Sequence, residues 1–297
     1  MDRNREGVGA QVVPVFEHFV SFVIKGSLWL WVLFNVAMVV WIFFNSVKTP
    51  RDIFANPGLP AGWHWANFWT ALTTSGLGAA ALNTAVIVAV SVLAIMALSL
   101  PAAYGLARLG GKSARPIATL FASGMSVPIQ ALTVPIVLIS AGLSRFMVEW
   151  VFGTWDPRIT VVLFYVVLAL PFTVFVLVGY FRSLPTELEE AAALDGASPF
   201  RTFRTVMLPL ARSGITTMVV LNVLSLWNET IVALLLIPNQ DMQTLNVALL
   251  NFYTAMQYTS DWGGLFAGVV IVILPMILLY FIVGRRVISG MTDGLGK

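Results

Sequence analysis

Few residues of this chain are of the types that perform covalent or metal chemistry. The sequence has no cysteine and two histidines, His18 and His64, so a disulfide framework, a thiolate metal site and a cysteine nucleophile are excluded. Hydrolysis within a membrane needs a serine–histidine pair or clustered histidines as metal ligands. His18 precedes the first long apolar segment and His64 lies in a loop, so the sequence disfavours an intramembrane enzyme and leaves it as a minor alternative.

A single acid interrupts the apolar stretch over residues 213–237. This acid, Glu229, follows Trp227 and Asn228. Burying a charge at the centre of a bilayer costs roughly 2.5–3.5 kcal/mol on insertion scales, so such an acid faces protein or a cavity. Trp can stack on sugar rings and Asn can bond their hydroxyls. The three residues therefore line a substrate path or, as we favour, form a contact at a gate or subunit interface. Two further polar residues either line the same path or bond neighbouring helices: Asn83 and Asn222.

The segment over residues 183–209 combines acids, small residues and helix-stop signals. Thr186 and Glu189 have the spacing of a capping box, which predicts the start of a short helix. Gly196 predicts its left-handed end, and Ser198 followed by proline predicts the start of a second helix. Three apolar residues give that second helix a predicted apolar stripe: Phe200, Phe203 and Met207.

The first of these helices offers a smooth, acidic face. Ala191 and Ala192 allow close approach of a partner, and Glu190 and Asp195 can anchor it by charge. A helix lying on lipid usually carries Lys and Arg on its polar face, and an acidic helix is disfavoured beside an anionic leaflet. We therefore favour docking to a cytoplasmic protein over a lipid-surface helix.

The composition places these segments in a membrane protein. Of the 297 residues, 58% are hydrophobic and 10% are charged, against about 45–50% and about 25% in soluble domains. The mean hydropathy is +0.87. A net charge of +3 on such a chain reflects membrane topology rather than nucleic-acid binding.

Stretches without charges predict an all-α integral membrane protein with six transmembrane helices. Five predicted spans cover about residues 26–47, 79–104, 159–181, 213–237 and 262–284, and the charge-free stretch 116–144 holds a further one, the third. They form one membrane domain over residues 26–284, preceded by the segment 1–25 and followed by the tail 285–297. Thirteen Lys and Arg lie in the two terminal segments and in the connections between spans two and three and between spans four and five, the latter containing residues 183–209. The remaining connections hold four. The positive-inside rule therefore predicts that both termini and the 183–209 segment are cytoplasmic.

The 183–209 segment resembles the signature E-A-A-x(3)-G-x(9)-I-x-L-P of permeases of binding-protein-dependent ABC importers. Val206 stands in place of isoleucine, and the matching residues are Glu190, Ala191, Ala192, Gly196, Leu208 and Pro209. Nearly the whole chain resembles the six-span second permease of maltose-type sugar importers. The resemblance includes Ala102–Tyr104 with Arg108, and Trp227-Asn228-Glu229.

This resemblance implies an EAA-type cytoplasmic coupling loop between spans four and five, which inserts into a cleft on an ATP-binding subunit. The residues implied to couple are Glu190, Ala191, Ala192, Asp195, Gly196, Leu208 and Pro209. The implied partners are a second permease subunit in a heterodimer, two ATP-binding subunits, an extracytoplasmic sugar-binding protein or lipoprotein, and membrane lipid, with no nucleic acid. The chain itself is expected to bind no cofactor and no metal, because ATP and Mg belong to the partner ATPase.

The sequence agrees with ATP binding by a partner subunit, since it has no phosphate loop of the form G-x(4)-G-K-[ST]. The function implied is the import of a sugar or oligosaccharide across the cytoplasmic membrane by alternating access. Glycerol-phosphate, maltose-like, trehalose and chitobiose-type substrates all fit the resemblance. The alternative within transport is an ion-coupled secondary carrier, which should show inverted repeats and ionisable groups near the midplane. One intramembrane acid supports that alternative weakly.

Overall fold

In a computed structural model the backbone is described for residues 6–109, 111 and 114–295, and side chains for residues 20–108, 111, 114–256, 258 and 260–284. Within these residues the structure is helical and has no β-strand. The α-helices are α1 Glu6–Ser46, α2 Pro50–Ala55, α3 Ala66–Thr73, α4 Leu77–Tyr104, α5 Ala114–Gly124, α6 Ile129–Phe146, α7 Pro157–Ser183, α8 Glu187–Leu194, α9 Pro199–Thr202, α10 Leu208–Leu210, α11 Arg212–Trp227, α12 Ile231–Leu236, α13 Leu245–Thr259 and α14 Trp262–Leu295. Short π-helical turns extend three of them: Gly105–Leu109, Met147–Phe152 and Phe203–Met207.

Five helical stretches of the described chain are long and apolar enough to cross a membrane. They are Val20–Ser46, Leu77–Arg108, Ile129–Phe152, Pro157–Ser183 and Trp262–Gly284. A sixth arises if Pro199–Leu210 and Arg212–Trp227, which meet at a bend of 75°, are counted as one broken span. The count agrees with the six spans predicted from the sequence.

The third span occupies only the later part of the charge-free stretch over residues 116–144 and extends beyond it. Helix α5 ends at Gly124, and the span-length helix begins only at Ile129. Pro128 between them is extended, with φ −68° and ψ 134°, because proline lacks the N–H that a helix interior uses. The helix then continues beyond residue 144, and Arg145 and Glu149 pair on its surface at 3.7 Å. A search for charge-free residues misses an extension of this kind.

The fifth span also differs from the sequence expectation. It is not one helix over 213–237, because α11 ends at Trp227 and α12 begins at Ile231. Helix α1 runs continuously from Glu6 through residue 25, and the predicted division there stays a prediction. The tail is helical as far as Leu295, whereas residues 1–5, 296 and 297 lie outside the described part.

Helix α4 is the centre of the bundle and packs most extensively along α7. Helix α11 packs against both α4 and α14, while α1 contacts chiefly α14. The described apolar side chains of α1, over residues 20–44, are largely exposed, as expected of a lipid-facing helix. The main buried cluster joins α4, α7 and α11 to the 183–209 segment. We call the end of the bundle that carries this segment the coupling end and the opposite end the far end.

Candidate functional site

The 183–209 segment contains a short helix that a glycine terminates. Helix α8 ends at Leu194, and Gly196 has a φ of +79°. The Gly196 N–H donates to the Ala193 carbonyl at 3.0 Å, and the Ala197 N–H donates to the Ala192 carbonyl at 2.9 Å. This pair of bonds is a Schellman motif. The left-handed end predicted from the sequence is confirmed.

The capping box predicted at the start of α8 is wrong. Thr186 has helical backbone angles, and its side chain makes no capping bond. A capping side chain needs an extended backbone at that residue. The Thr186 carbonyl instead accepts the N–H groups of Glu189 and Glu190. The Glu189 carboxylate pairs with Arg108.

The second helix begins as predicted but its apolar stripe is incomplete. The Ser198 hydroxyl oxygen accepts the Arg201 N–H at 3.4 Å, and a proline follows it in the first turn. Phe203 and Met207 are buried. Phe200 is 70% exposed, so the stripe predicted from all three residues is wrong at this position.

Around Gly196 the segment presents an exposed surface that mixes apolar and acidic groups. Leu194 is 90% exposed and Phe200 is 70% exposed, whereas Glu190 and Asp195 are exposed acids. We call these residues, with Gly196, the coupling surface. The remaining candidate coupling residues lie beside it: Ala191 and Pro209 are exposed, and Ala192 and Leu208 are half-buried. Clustered exposed apolar side chains outside a lipid-facing stretch mark an interaction site.

An ion pair fixes the coupling segment to the second span. The Arg108 Nε lies 3.3 Å from the Glu189 Oε2, and the two side chains are 11% and 18% exposed. The Arg108 Nη2 also donates to the Leu184 carbonyl at 2.6 Å. Sequence reasoning placed Arg108 only within the resemblance and gave Glu189 only a capping role. Arg108 and Glu189 meet through a tertiary contact, which no local sequence pattern indicates.

Aromatic rings make a second attachment at the same end of α4. The Tyr104 ring centroid lies 5.7 Å from that of Phe181 at the end of α7, with the planes at 72°. It lies 5.0 Å from the Phe203 centroid in the coupling segment. Such ring pairs contribute about 0.5–1.5 kcal/mol beyond their burial. Met207 is fully buried beside them, so both arms of the segment are attached to the spans.

Three of the candidate path residues make bonds within or between helices. Asn222 is buried in α11, and its Nδ2 donates to the Thr173 Oγ1 at 3.1 Å across to α7. The Trp227 Nε1 donates to the Val272 carbonyl of α14 at 3.1 Å. Asn228 is exposed and its Nδ2 donates to the Leu224 carbonyl.

Glu229 lies at the break between α11 and α12. Its Oε1 accepts the Val232 N–H at 2.8 Å, and its Oε2 accepts the Ala233 N–H at 3.3 Å. The Tyr165 hydroxyl of α7 donates to the same Oε2 at 2.7 Å. The carboxylate thus satisfies free N–H groups at the start of α12, as a capping group does. Both carboxylate oxygens of Glu229 therefore accept hydrogen bonds from the protein.

Asn83 belongs to a polar network at the far end. Its Nδ2 donates to the carbonyls of Asp241 and Gln243 at 2.9 and 3.2 Å, and its Oδ1 accepts from the Arg158 Nη1 at 3.0 Å. Arg158 also bonds the Asp156 carboxylate at 2.7 Å, which holds the pKa of that carboxyl below its ordinary value. The network joins α4, the start of α7 and the connection before α13. Sequence reasoning missed Arg158, which lies 75 positions from Asn83.

Two cavities adjoin these contacts. An apolar cavity of about 660 Å³ lies among α5, α7 and α11. A more polar one of about 540 Å³ opens at the far end, where Thr73, Ser75 and Asn251 are among its lining residues. Among the described residues no cluster of His, Asp or Glu could hold a metal ion.

Comparison with known proteins bears on this arrangement. The profile of the family described as "Binding-protein-dependent transport system inner membrane component" matches residues 95–292. The chain belongs to this family. The match covers Arg108, the 183–209 segment and Glu229.

Curated relatives of this inner membrane component extend over most of its length. The diacetylchitobiose uptake system permease protein NgcG of Streptomyces coelicolor is 32% identical over 266 residues, covering 89% of this chain and 85% of its own. The probable starch degradation products transport system permease protein AmyC of Thermoanaerobacterium thermosulfurigenes is 32% identical over 257 residues, covering 86% and 89%. The resemblance to ABC importer permeases seen in the sequence is confirmed.

The same fold occurs in a solved structure. A chain of a bacterial ABC transporter involved in the import of the acidic polysaccharide alginate superposes with a TM-score of 0.75 at 21% identity, covering 91% of this chain and 96% of that one. The family and the apolar helices together make this chain a multi-pass inner membrane component of a transport system.

Proposed function

We propose that this chain is the permease subunit of an ATP-driven importer that moves a sugar or oligosaccharide across the cytoplasmic membrane by alternating access. Family membership supports the permease role. The names of relatives that share about a third of their residues with it, which concern diacetylchitobiose and starch degradation products, support a saccharide as cargo. A trehalose transport permease of Mycobacterium tuberculosis, 29% identical over 87% of this chain, extends that group.

The single observation that carries the mechanism is the coupling surface. Leu194 and Phe200 are exposed on either side of the left-handed Gly196, and Glu190 and Asp195 lie beside them. Large apolar side chains in a short, acidic segment are suited to a protein pocket rather than to an anionic lipid surface. We propose that this surface inserts into a cleft of an ATP-binding subunit on the cytoplasmic side.

The complete transporter then contains this chain, a second related permease, two ATP-binding subunits and an extracytoplasmic sugar-binding protein or lipoprotein. ATP and Mg are bound by the partner ATPase and not by this chain, whose sequence lacks a phosphate loop. Closure of the two ATP-binding subunits displaces the docked surface as a rigid body. The spans then rock from an inward-facing to an outward-facing arrangement.

Reconstitution tests this function directly. Proteoliposomes that contain the assembled transporter and its binding protein should accumulate at least one of labelled diacetylchitobiose, trehalose or maltose when MgATP is supplied. Proteoliposomes with this chain alone should accumulate none, because no part of the chain hydrolyses ATP. Uphill accumulation by the chain alone would contradict the proposal.

The ion-coupled carrier is distinguished in the same vesicles. Ionophores that dissipate proton and sodium gradients should leave uptake unchanged, and depletion of ATP should stop it. The bonds of Glu229 favour the ATP-driven function, since both oxygens of this acid already accept protein hydrogen bonds.

A further inference from the structure

Arg108 attaches the second span to the coupling segment. Arg108 lies on the π-helical turn that extends α4. Its Nε faces the Glu189 carboxylate at 3.3 Å, and its Nη2 donates to the Leu184 carbonyl at 2.6 Å. The guanidinium thus makes one ion pair and one hydrogen bond, and its rigid planar group keeps the two partners in a fixed relative position.

These two partners of Arg108 belong to different parts of the connection. Leu184 follows the last residue of α7, and Glu189 lies in the first turn of α8. The coupling surface lies at the other end of the same short helix, around Leu194. A displacement of α8 therefore acts on Arg108 directly, without passing through a flexible linker.

The returning arm of the coupling segment contacts the same end of α4. Phe203 packs on the Tyr104 ring, which lies one turn before Arg108. Both arms thus bear on the last turns of the second span. π-Helical turns are frequent at functional positions in helices, and here they occur on both sides of this contact, at Gly105–Leu109 and Phe203–Met207.

The opposite end of α4 is attached as well. Asn83 donates to the carbonyls of Asp241 and Gln243 at the far end. Asn83 and Arg108 are about 25 residues apart, or roughly 37 Å at 1.5 Å per residue. One continuous helix therefore contacts the coupling segment at one end and the connection before α13 at the other.

We infer that Arg108 is the positioning residue through which displacement of the coupling surface is passed to the second span, and that α4 carries this movement to the 241–243 connection at the far end. The inference rests on the proposed function, because it needs an ATP-binding partner that moves the coupling surface. It adds the path by which movement passes through this chain, from the coupling surface to the far end, which docking alone does not specify.

The chain has no cysteine, so single cysteines can report docking and span movement separately. Asp195→Cys on the coupling surface reports docking through its alkylation by N-ethylmaleimide. Leu82→Cys on α4, where the leucine is 71% exposed, carries a bimane fluorophore that reports movement. Both are measured in the complete transporter in proteoliposomes, before and after trapping with MgATP and orthovanadate.

In the parent protein, the ATP-binding subunits should slow alkylation at position 195, and trapping should shift the bimane emission. Arg108→Gln should abolish the bimane shift and leave the protection at position 195 intact. Arg108→Lys, which keeps the charge but not the fork, should retain part of the shift. Arg115→Gln, which removes an exposed arginine from the first turn of α5, should retain all of it and is the matched control.

A full bimane shift in Arg108→Gln would overturn the inference, as would a parent protein without any shift. Loss of the shift together with the protection would also overturn it, because Arg108 would then only shape the coupling surface. Absence of protection at position 195 in the parent would instead contradict the proposed docking itself. If Arg108→Gln does not assemble, Arg108→Lys is compared with the parent protein. A reduced bimane shift with intact protection at position 195 supports the inference, and a full shift overturns it.

Discussion

At the scale of single residues, Gly196 sets the shape of the coupling surface through its backbone. A Cβ built at this position would meet no atom within 4 Å, so space is not what requires glycine there. The requirement is the φ of +79°, which other residues adopt only with strain, and the N–H donated to Ala193. Proline can supply neither, because its φ is fixed near −65° and it has no N–H.

We therefore expect Gly196→Pro to uncouple ATP hydrolysis from uptake while the amount of protein in the membrane stays normal. The changed bend moves Leu194 and Phe200 relative to each other, so the surface no longer fits its partner. Uptake and ATP hydrolysis of the assembled transporter measure the effect. Gly142→Ala is the control, since Gly142 has open space and ordinary helical geometry. Normal uptake in Gly196→Pro would remove the coupling role of this bend.

Glu229 allows a second test at the same scale. Glu229→Ala leaves the N–H groups of Val232 and Ala233 without their acceptor, and loss of a helix cap costs about 0.5–2 kcal/mol. The variant should unfold at a lower temperature in detergent, whereas Tyr165→Phe, which loses only the phenol contact, should change less. Glu229→Gln keeps one acceptor oxygen and should retain uptake with an unchanged pH profile. A folded Glu229→Gln protein without uptake would revive the ion-coupled carrier.

At the scale of elements, local signals were readable from the sequence and tertiary ones were not. The left-handed end at Gly196 and the cap at Ser198 depend on residues within a few positions, and both are present. The capping box fails because the Thr186 backbone is helical, and Glu189 pairs with Arg108 and not with the adjacent backbone. The third span continues past residue 144 through Arg145 and Glu149, whose i,i+4 spacing is readable from the sequence. The pairing of Glu189 with Arg108 is not encoded in spacing along the chain.

The packing of α7 on α11 also depends on one small residue. A Cβ at Gly214 of α11 would lie 2.6 Å from a ring atom of Tyr180. We expect Gly214→Ala to lower the free energy of unfolding by about 1–3 kcal/mol, the usual range for an overpacked contact. Adding Tyr180→Ala should restore part of this loss, because the ring is then absent.

Thermal unfolding of the purified transporter, followed by tryptophan fluorescence, measures both variants. Gly26→Ala, at an exposed position of α1 with open space, should unfold as the parent does. Strictly additive effects of Gly214→Ala and Tyr180→Ala would show that the two residues do not constrain each other.

At the scale of the whole molecule, the two ends of the bundle differ in charge and in construction. The coupling end holds the basic connections counted in the sequence, together with the exposed acidic α8. The far end is built on buried polar contacts: the fully buried Lys48 donates to the carbonyls of Asn56 and Gly58 at 2.9 and 2.6 Å. The far end, whose polar groups bond one another, suits the extracytoplasmic face. The coupling end, which exposes apolar side chains, suits the cytoplasmic face, where a soluble ATP-binding subunit can dock.

This asymmetry predicts the orientation in the cell. Thirteen basic residues against four favour retention of the coupling end in the cytoplasm. The chain has no cysteine of its own, so a membrane-impermeant maleimide reads out engineered positions without background. In intact spheroplasts Leu59→Cys, at a 71% exposed position of the far end, should label, and Ser183→Cys at the end of α7 should not. Inverted vesicles should reverse the pattern. Labelling of Ser183→Cys from outside would place the coupling surface beyond the reach of a cytoplasmic ATPase and would contradict the proposed docking.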